Sequence, residues 1–213
     1  MIQFKKYLFL FVLMTIGILA SIAGFWQFVQ LEETEAQNEF VLAASERMIA
    51  IERQIQSSLD SVFSIKSFYE ANLVVQRQQF SSFTSQLIKR DSSIKALEWI
   101  PVVPADQKAR IESAARAEGF KDFKFVERSK NGDLVEVGKR VVYYPVFFVE
   151  PMQGNESVFG FDLGSSPDRR KALDVARDTG QISTSETIKL VQNGQAAVFL
   201  FVPVYQKGMP TNT

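Results

Sequence analysis

The sequence predicts an α+β protein in which an N-terminal transmembrane helix and a long stalk helix lead into an antiparallel sheet with flanking helices. Three observations carry this prediction. Residues 7–31 contain no charged side chain, and neither Gly nor Pro occurs between Gly24 and Pro101. Beyond Pro101, short β-branched and aromatic runs alternate with turn dipeptides of the kind that join hairpins.

The first element is the apolar run from Tyr7 to Leu31. About 20 apolar residues suffice to cross a hydrocarbon core of roughly 30 Å, so the run is expected to span a membrane and contact lipid. Lys5 and Lys6 precede it, and Glu32, Glu33 and Glu35 follow it. Basic residues on the short side predict a cytoplasmic tail over residues 1–6 and export of everything after the span. Trp26 suits an interfacial anchor. Ser21-Ile22-Ala23 also offers the small-x-small pattern of a cleavable signal peptide, but apolar residues continue through Phe25, Trp26, Phe28 and Val29, which favours an uncleaved anchor. Either reading exports the domain.

Residues 32–75 read as the stalk helix. Phe40, Ala44, Met48, Ile51, Ile55, Leu59 and Val62 recur at steps of 4, 4, 3, 4, 4 and 3, an eleven-residue period that Leu73 continues and Lys66 interrupts. Such a seam stays nearly straight or winds slightly right-handed. It fits a homodimer formed through the stalk, and equally one amphipathic helix laid on its own domain. Beyond Leu59 the added Phe63, Phe68 and Tyr69 broaden the stripe and favour the second arrangement. Gln76 to Arg90 then predicts a shorter helix with Phe80, Phe83 and Leu87 on one face, closed by the turn Asp91-Ser92-Ser93.

In the distal part, Lys95 to Val103 reads as a strand ended by Pro101 and Pro104, and Ala105 to Glu118 as a helix stopped by Gly119. Segments near Phe123–Glu127 and Leu134–Val137 flank Asn131-Gly132, a hairpin dipeptide. Arg140 to Val149 and Ser157 to Leu163 read as two further strands. Ser166-Pro167 opens a helix that ends at Gly180. Thr187 to Gln192 and Gln195 to Tyr205, joined by Asn193-Gly194, form a closing hairpin. Hairpin-linked strands with helices on one side define an α+β domain.

Composition narrows the chemistry. The chain has 24 basic and 24 acidic residues, which gives no reason to expect a nucleic acid partner. It has no Cys and no His, so thiolate nucleophiles, zinc–sulfur sites and the commonest general base are excluded. Gly132 and Gly138-Lys139 lack the spacing of a phosphate loop, and Gly164-Ser165-Ser166 is not a nucleophile elbow. No catalytic residue, cofactor or metal is predicted, although a carboxylate pair could still serve an exported hydrolase.

Several segments carry a family resemblance. Ile94-Lys95-Ala96-Leu97-Glu98-Trp99-Ile100-Pro101, Tyr144-Pro145-Val146-Phe147 and Gly160-Phe161-Asp162-Leu163-Gly164-Ser165 stand in order with Asp178-Thr179-Gly180, Leu190-Val191-Gln192 and Val202-Pro203-Val204-Tyr205. Together, over residues 64–205, they resemble a CHASE domain, the extracytoplasmic sensory module of receptor histidine kinases and of diguanylate cyclases and phosphodiesterases. The resemblance implies a PAS-like sensor: a long helix followed by two stacked PAS-like sheets, with a small ligand in the membrane-distal one. It also implies a membrane-proximal sheet, a second transmembrane helix and an output domain after Tyr205, where residues 206–213 read as a polar loop and truncation point in a fragment of a longer receptor.

The resemblance places Asp162 where cytokinin-binding members set a carboxylate against the ligand, and Ser183 where those members offer backbone contacts, with Thr184 beside it. A carboxylate at the end of an apolar strand can accept N–H donors from a ligand, and it can equally accept backbone N–H bonds in the turn that follows. Tyr144, Phe147 and Leu190 would supply apolar wall if their strand faces point into the pocket. Asp168-Arg169-Arg170-Lys171 reads as a solvated helix face. The expected function is small-ligand sensing for a transmembrane signalling receptor; the alternative is a dimerisation or adhesion module with no ligand.

Overall fold

The computed structural model describes residues 2–72, 74–190, 192 and 194–205, with side chains described from Met14 onward except at 29 and 31–36. Leu73, Asn193 and the predicted loop at 206–213 lie outside the described residues. The chain divides into two compact units, Met1–Ile55 and Gln56–Thr213.

Helix α1, Ile2–Ala71, begins in the first unit and ends in the second. In the first unit Phe40, Met48, Ile51 and Ile55 are each more than half exposed. The expectation of a transmembrane helix over 7–31 is corrected: among the described residues no helix is long and apolar enough to cross a membrane.

The second unit is α+β. Helix α2, Arg77–Arg90, starts where Gln79 reaches back to accept the N–H of Gln76 at 2.9 Å. Strands β1, Leu97–Trp99, and β2, Val103–Pro104, precede helix α3, Lys108–Ala117. The hairpin β3, Val126–Arg128, and β4, Leu134–Glu136, closes around Gly132, whose φ of 93° only glycine adopts readily. Strands β5, Val142–Tyr143, and β6, Phe148–Glu150, pair antiparallel with β2 and β1 respectively.

These short ladders join into one sheet through irregular backbone. The N–H of Val146 donates to the carbonyl of Phe161 at 3.0 Å, and the N–H of Leu163 to that of Tyr144 at 2.9 Å. On its other edge the same segment binds β3, where Asp162 N–H donates to Val126 at 2.8 Å and Val126 N–H to Gly160 at 3.0 Å. The spatial order is therefore 97–104, 142–150, 160–163, β3 and β4.

Most predicted strands are shorter than the sequence suggests: the run from Lys95 to Val103 holds only β1 and the start of β2, and that from Gln195 to Tyr205 only two-residue strands at Ala196–Ala197 and Leu200–Phe201. Pro145 interrupts the run from Arg140 to Val149 because it has no N–H to donate. The run from Ser157 to Leu163 instead holds 3-10 turns at Glu156–Val158 and Leu163–Ser165, with only single bridges at Phe161 and Asp162. Gly160 breaks the extended path with a φ of 86°, and a Cβ there would stand 2.5 Å from the carbonyl oxygen of Lys124.

Helix α4, Pro167–Thr179, follows Ser166 with Pro at its start and ends on Gly180 at φ 69°. Its Ala172, Leu173 and Ala176 pack on Tyr144, Val146, Phe161 and Leu163, while α3 packs Ala115 on Val103, Phe125 and Tyr143. Phe80 of α2 packs with Leu97 and Phe148, against which Ile65 and Tyr69 of α1 also rest. Arg77 is enclosed by four rings: its guanidinium lies 4.5–5.3 Å from the centroids of Phe120, Phe147, Phe148 and Phe159. The closing segment forms β7, Ser183–Thr184, with β10, Leu200–Phe201, and β8, Ile188–Lys189, with β9, Ala196–Ala197.

Candidate ligand site

Strand β1, the C-terminal turns of α4, the upper turns of α1 and the 190–205 segment enclose a cavity of about 570 Å³. Such a volume suits a small organic molecule. Leu97, Trp99, Leu173 and Phe201 are among its apolar lining, and Ser58, Val62 and Ile65 bring α1 into its wall.

Of the six residues singled out from sequence, Tyr144 and Leu190 line this cavity. Tyr144 is buried, and its hydroxyl accepts from Nη1 of Arg177 at 2.6 Å. Arg177 in turn pairs with Asp174 at 2.8 Å, and its carbonyl accepts the hydroxyl of Tyr205. These bonds fix the polar rim where α4 meets the closing segment.

The other four lie elsewhere. Asp162 is fully buried, and its Oδ1 accepts the N–H groups of Tyr144 at 2.8 Å and Gly164 at 3.1 Å. Its Oδ2 faces Nη1 of Arg140 at 3.3 Å, and Arg140 also pairs with Glu127. This is the turn-acceptor geometry. Burial pushes the Asp162 carboxyl above its ordinary range, outweighing those bonds and the Arg140 charge. Ser183 is buried and pairs in the ladder with Phe201, and the exposed Thr184 pairs with Leu200. Phe147 stacks among Phe123, Phe148 and the Arg77 guanidinium. Arg169, expected on a solvated helix face, is instead buried against Phe161 and Phe199, donating to the carbonyl of Lys189 at 3.0 Å.

Two cavity residues not chosen from sequence carry the most distinctive chemistry. Glu98 sits on β1 between Leu97 and Trp99, and its Oε2 is buried with no hydrogen-bond partner among the described residues. Burial pushes this carboxyl up to about 7, with the Arg169 charge acting the other way. Gln192 likewise has a buried Oε1 with no partner among the described residues. Its amide orientation is fixed by a relay: Asn155 Nδ2 donates to the Pro151 carbonyl at 2.9 Å, so Asn155 Oδ1 accepts from Gln192 Nε2 at 2.7 Å. The sequence signal for Glu98 was a lone carboxylate inside an otherwise apolar strand; for Gln192 there was none.

The distal unit is thus an α+β domain with a helix-walled, largely apolar cavity. Residues 74–213 match the CHASE domain family, and the chain belongs to it. CHASE domains are a family of sensory domains of signalling receptors. No curated protein matches the chain.

The raised Glu98 carboxyl has a stability consequence. Its folded value of about 7 lies above the ordinary 4.5, so folding takes up a proton between the two. Its favourable contribution is complete below about pH 4.5 and is lost as pH rises through 7. The shift corresponds to about 3 kcal/mol at most. Urea unfolding of wild type and Glu98→Gln at pH 5 and pH 8 should show the variant's stability falling less across that window, and parallel behaviour would contradict the assignment.

Proposed function

We propose that the chain is an extracytoplasmic small-ligand sensor of a signalling receptor, with the 570 Å³ cavity as its binding site. The observation that carries this reading is the mixed wall of that cavity: apolar and aromatic side chains together with a few polar ones. Tyr144 and Leu190 are its contacts from the sequence-chosen set. Asp162, Ser183, Thr184 and Phe147 support it from behind by holding the strands. Because Ser58, Val62 and Ile65 belong to α1, an occupant bears directly on that helix and shifts its population of conformations.

A homodimer is proposed alongside, through the exposed seam of Phe40, Met48, Ile51 and Ile55 with the half-buried Ala44. Exposed apolar area at regular spacing on one helix favours association with a second copy. Single Cys substitutions along residues 38–56 should cross-link with maxima every three or four positions, and the native chain contributes no background thiol. Uniform or absent cross-linking would remove the dimer from the proposal.

For the location, a phosphatase reporter that functions only outside the cytoplasm should be active when fused after Tyr205. Activity of a cytoplasm-only reporter at the same point would overturn it.

The ligand site is tested by filling it. Ala96 lines the cavity, and Ala96→Trp should fold with a loss of about 1–3 kcal/mol. In a thermal-shift screen, a compound at a hundred times its Kd should stabilise wild type by about 2.7 kcal/mol. The same compound should leave the variant's melting temperature unchanged. A response that survives the substitution would place the ligand elsewhere, and silence across a chemically broad panel would favour the purely structural alternative.

A further inference from the structure

Resting on the sensor reading, we infer that the cavity selects a protonated amine on an apolar body, held by Glu98 and Gln192. Two buried acceptor oxygens, Glu98 Oε2 and Gln192 Oε1, belong to residues lining one cavity, and neither has a hydrogen-bond partner among the described residues. Buried polar atoms are rarely left unpaired, so the pair marks a place where donors are supplied from outside the chain. A primary ammonium carries three donors and no acceptor, which matches two acceptors of which one is a carboxylate. The remaining wall, with Trp99, Leu173, Phe199 and Phe201, suits an apolar body and a cation close to aromatic faces.

Two of the neighbouring cations are engaged in ion pairs of their own. Lys66 reaches Glu70 at 3.8 Å on its own helix, and Arg177 pairs with Asp174 and Asp178. Lys95, two residues before β1, also lines the cavity and is exposed. Arg169, the cation that acts on Glu98, donates through Nη2 to the Lys189 carbonyl, keeps a buried Nε with no partner among the described residues, and does not line the cavity. Tyr144 and Tyr205, the other titratable lining groups, have their hydroxyls bound to Arg177. An anionic ligand would have to draw on the exposed Lys95 or displace one of these pairs, whereas an ammonium supplies what Glu98 and Gln192 lack.

Glu98 gives the site a pH signature. With its carboxyl raised to about 7, it is largely protonated at pH 6 and largely ionised at pH 8, so an ammonium ligand binds more tightly at the higher pH and displaces a proton on binding. The probes are phenethylamine, its neutral counterpart phenethyl alcohol and its anionic counterpart phenylpropanoate, titrated into the full chain by calorimetry and thermal shift at pH 6 and pH 8. Expected is binding of the amine alone, stronger at pH 8, with proton release seen by comparing buffers. Glu98→Gln should weaken it at least tenfold and abolish the pH dependence, and Gln192→Met should weaken it severalfold while keeping that dependence. Equal binding of the alcohol or the carboxylate, a response unchanged in Glu98→Gln, or no response to the amine would overturn the assignment. Binding of the alcohol or carboxylate, abolished by Ala96→Trp, would leave the sensor reading standing without it.

Discussion

One buried carboxylate organises the distal unit. Asp162 accepts the N–H groups of Tyr144 and Gly164 while its own N–H and carbonyl bind Val126 and Ser165. Three segments distant in sequence thus meet at a single residue. Each buried N–H left unpaired would cost about 1–3 kcal/mol, so the sheet depends on this acceptor where regular ladder bonds stop. Gly164 is part of the same constraint: a Cβ there would lie 2.7 Å from the Tyr144 ring and 3.1 Å from Asp162 Oδ1.

The cavity follows from that frame. Tyr144 has its N–H held by Asp162, packs with the cluster under α4, and gives its hydroxyl to Arg177. Arg177 then ties α4 to the closing segment through Tyr205. Fixed on these sides, the wall presents Glu98 and Gln192 as the polar groups whose bonding is incomplete. A site arranged in this way is preorganised: the scaffold has already met the entropy of ordering it, and little of the ligand's binding free energy goes into building it.

Much of this fold was legible in the sequence because local chemistry decides it. The missing Gly and Pro allow α1 and α2 their lengths, Asn131-Gly132 marks the β3–β4 turn, and Pro167 and Gly180 bound α4. Strands were read as too long because β-branched and aromatic runs also occur where burial, not pairing, is the reason, and side-chain acceptance by Asp162 replaces a ladder bond invisibly to any pattern. Arg169 was misread for a related reason: a run of four charged residues hides one whose hydrocarbon stem and guanidinium face Phe161 and Phe199. The apolar run near the N-terminus carried the strongest sequence signal, yet the described residues contain no helix that meets the requirement for a span. In the site, Tyr144 and Leu190 were chosen as apolar wall, whereas Glu98 and Gln192, though inside segments that carry the family resemblance, stand out only once burial and unmatched oxygens are known.

The central claim is that ligand occupies the cavity beside Glu98 and leaves the Asp162 frame undisturbed. Backbone amide shifts recorded by NMR during titration with a stabilising compound test this most directly. The account predicts that the large shifts fall at residues 96–100, 173–177 and 195–205, while the amides of Val126, Asp162 and Gly164 hardly move. Large shifts centred on Asp162 and Gly164, with residues 96–100 unaffected, would contradict it.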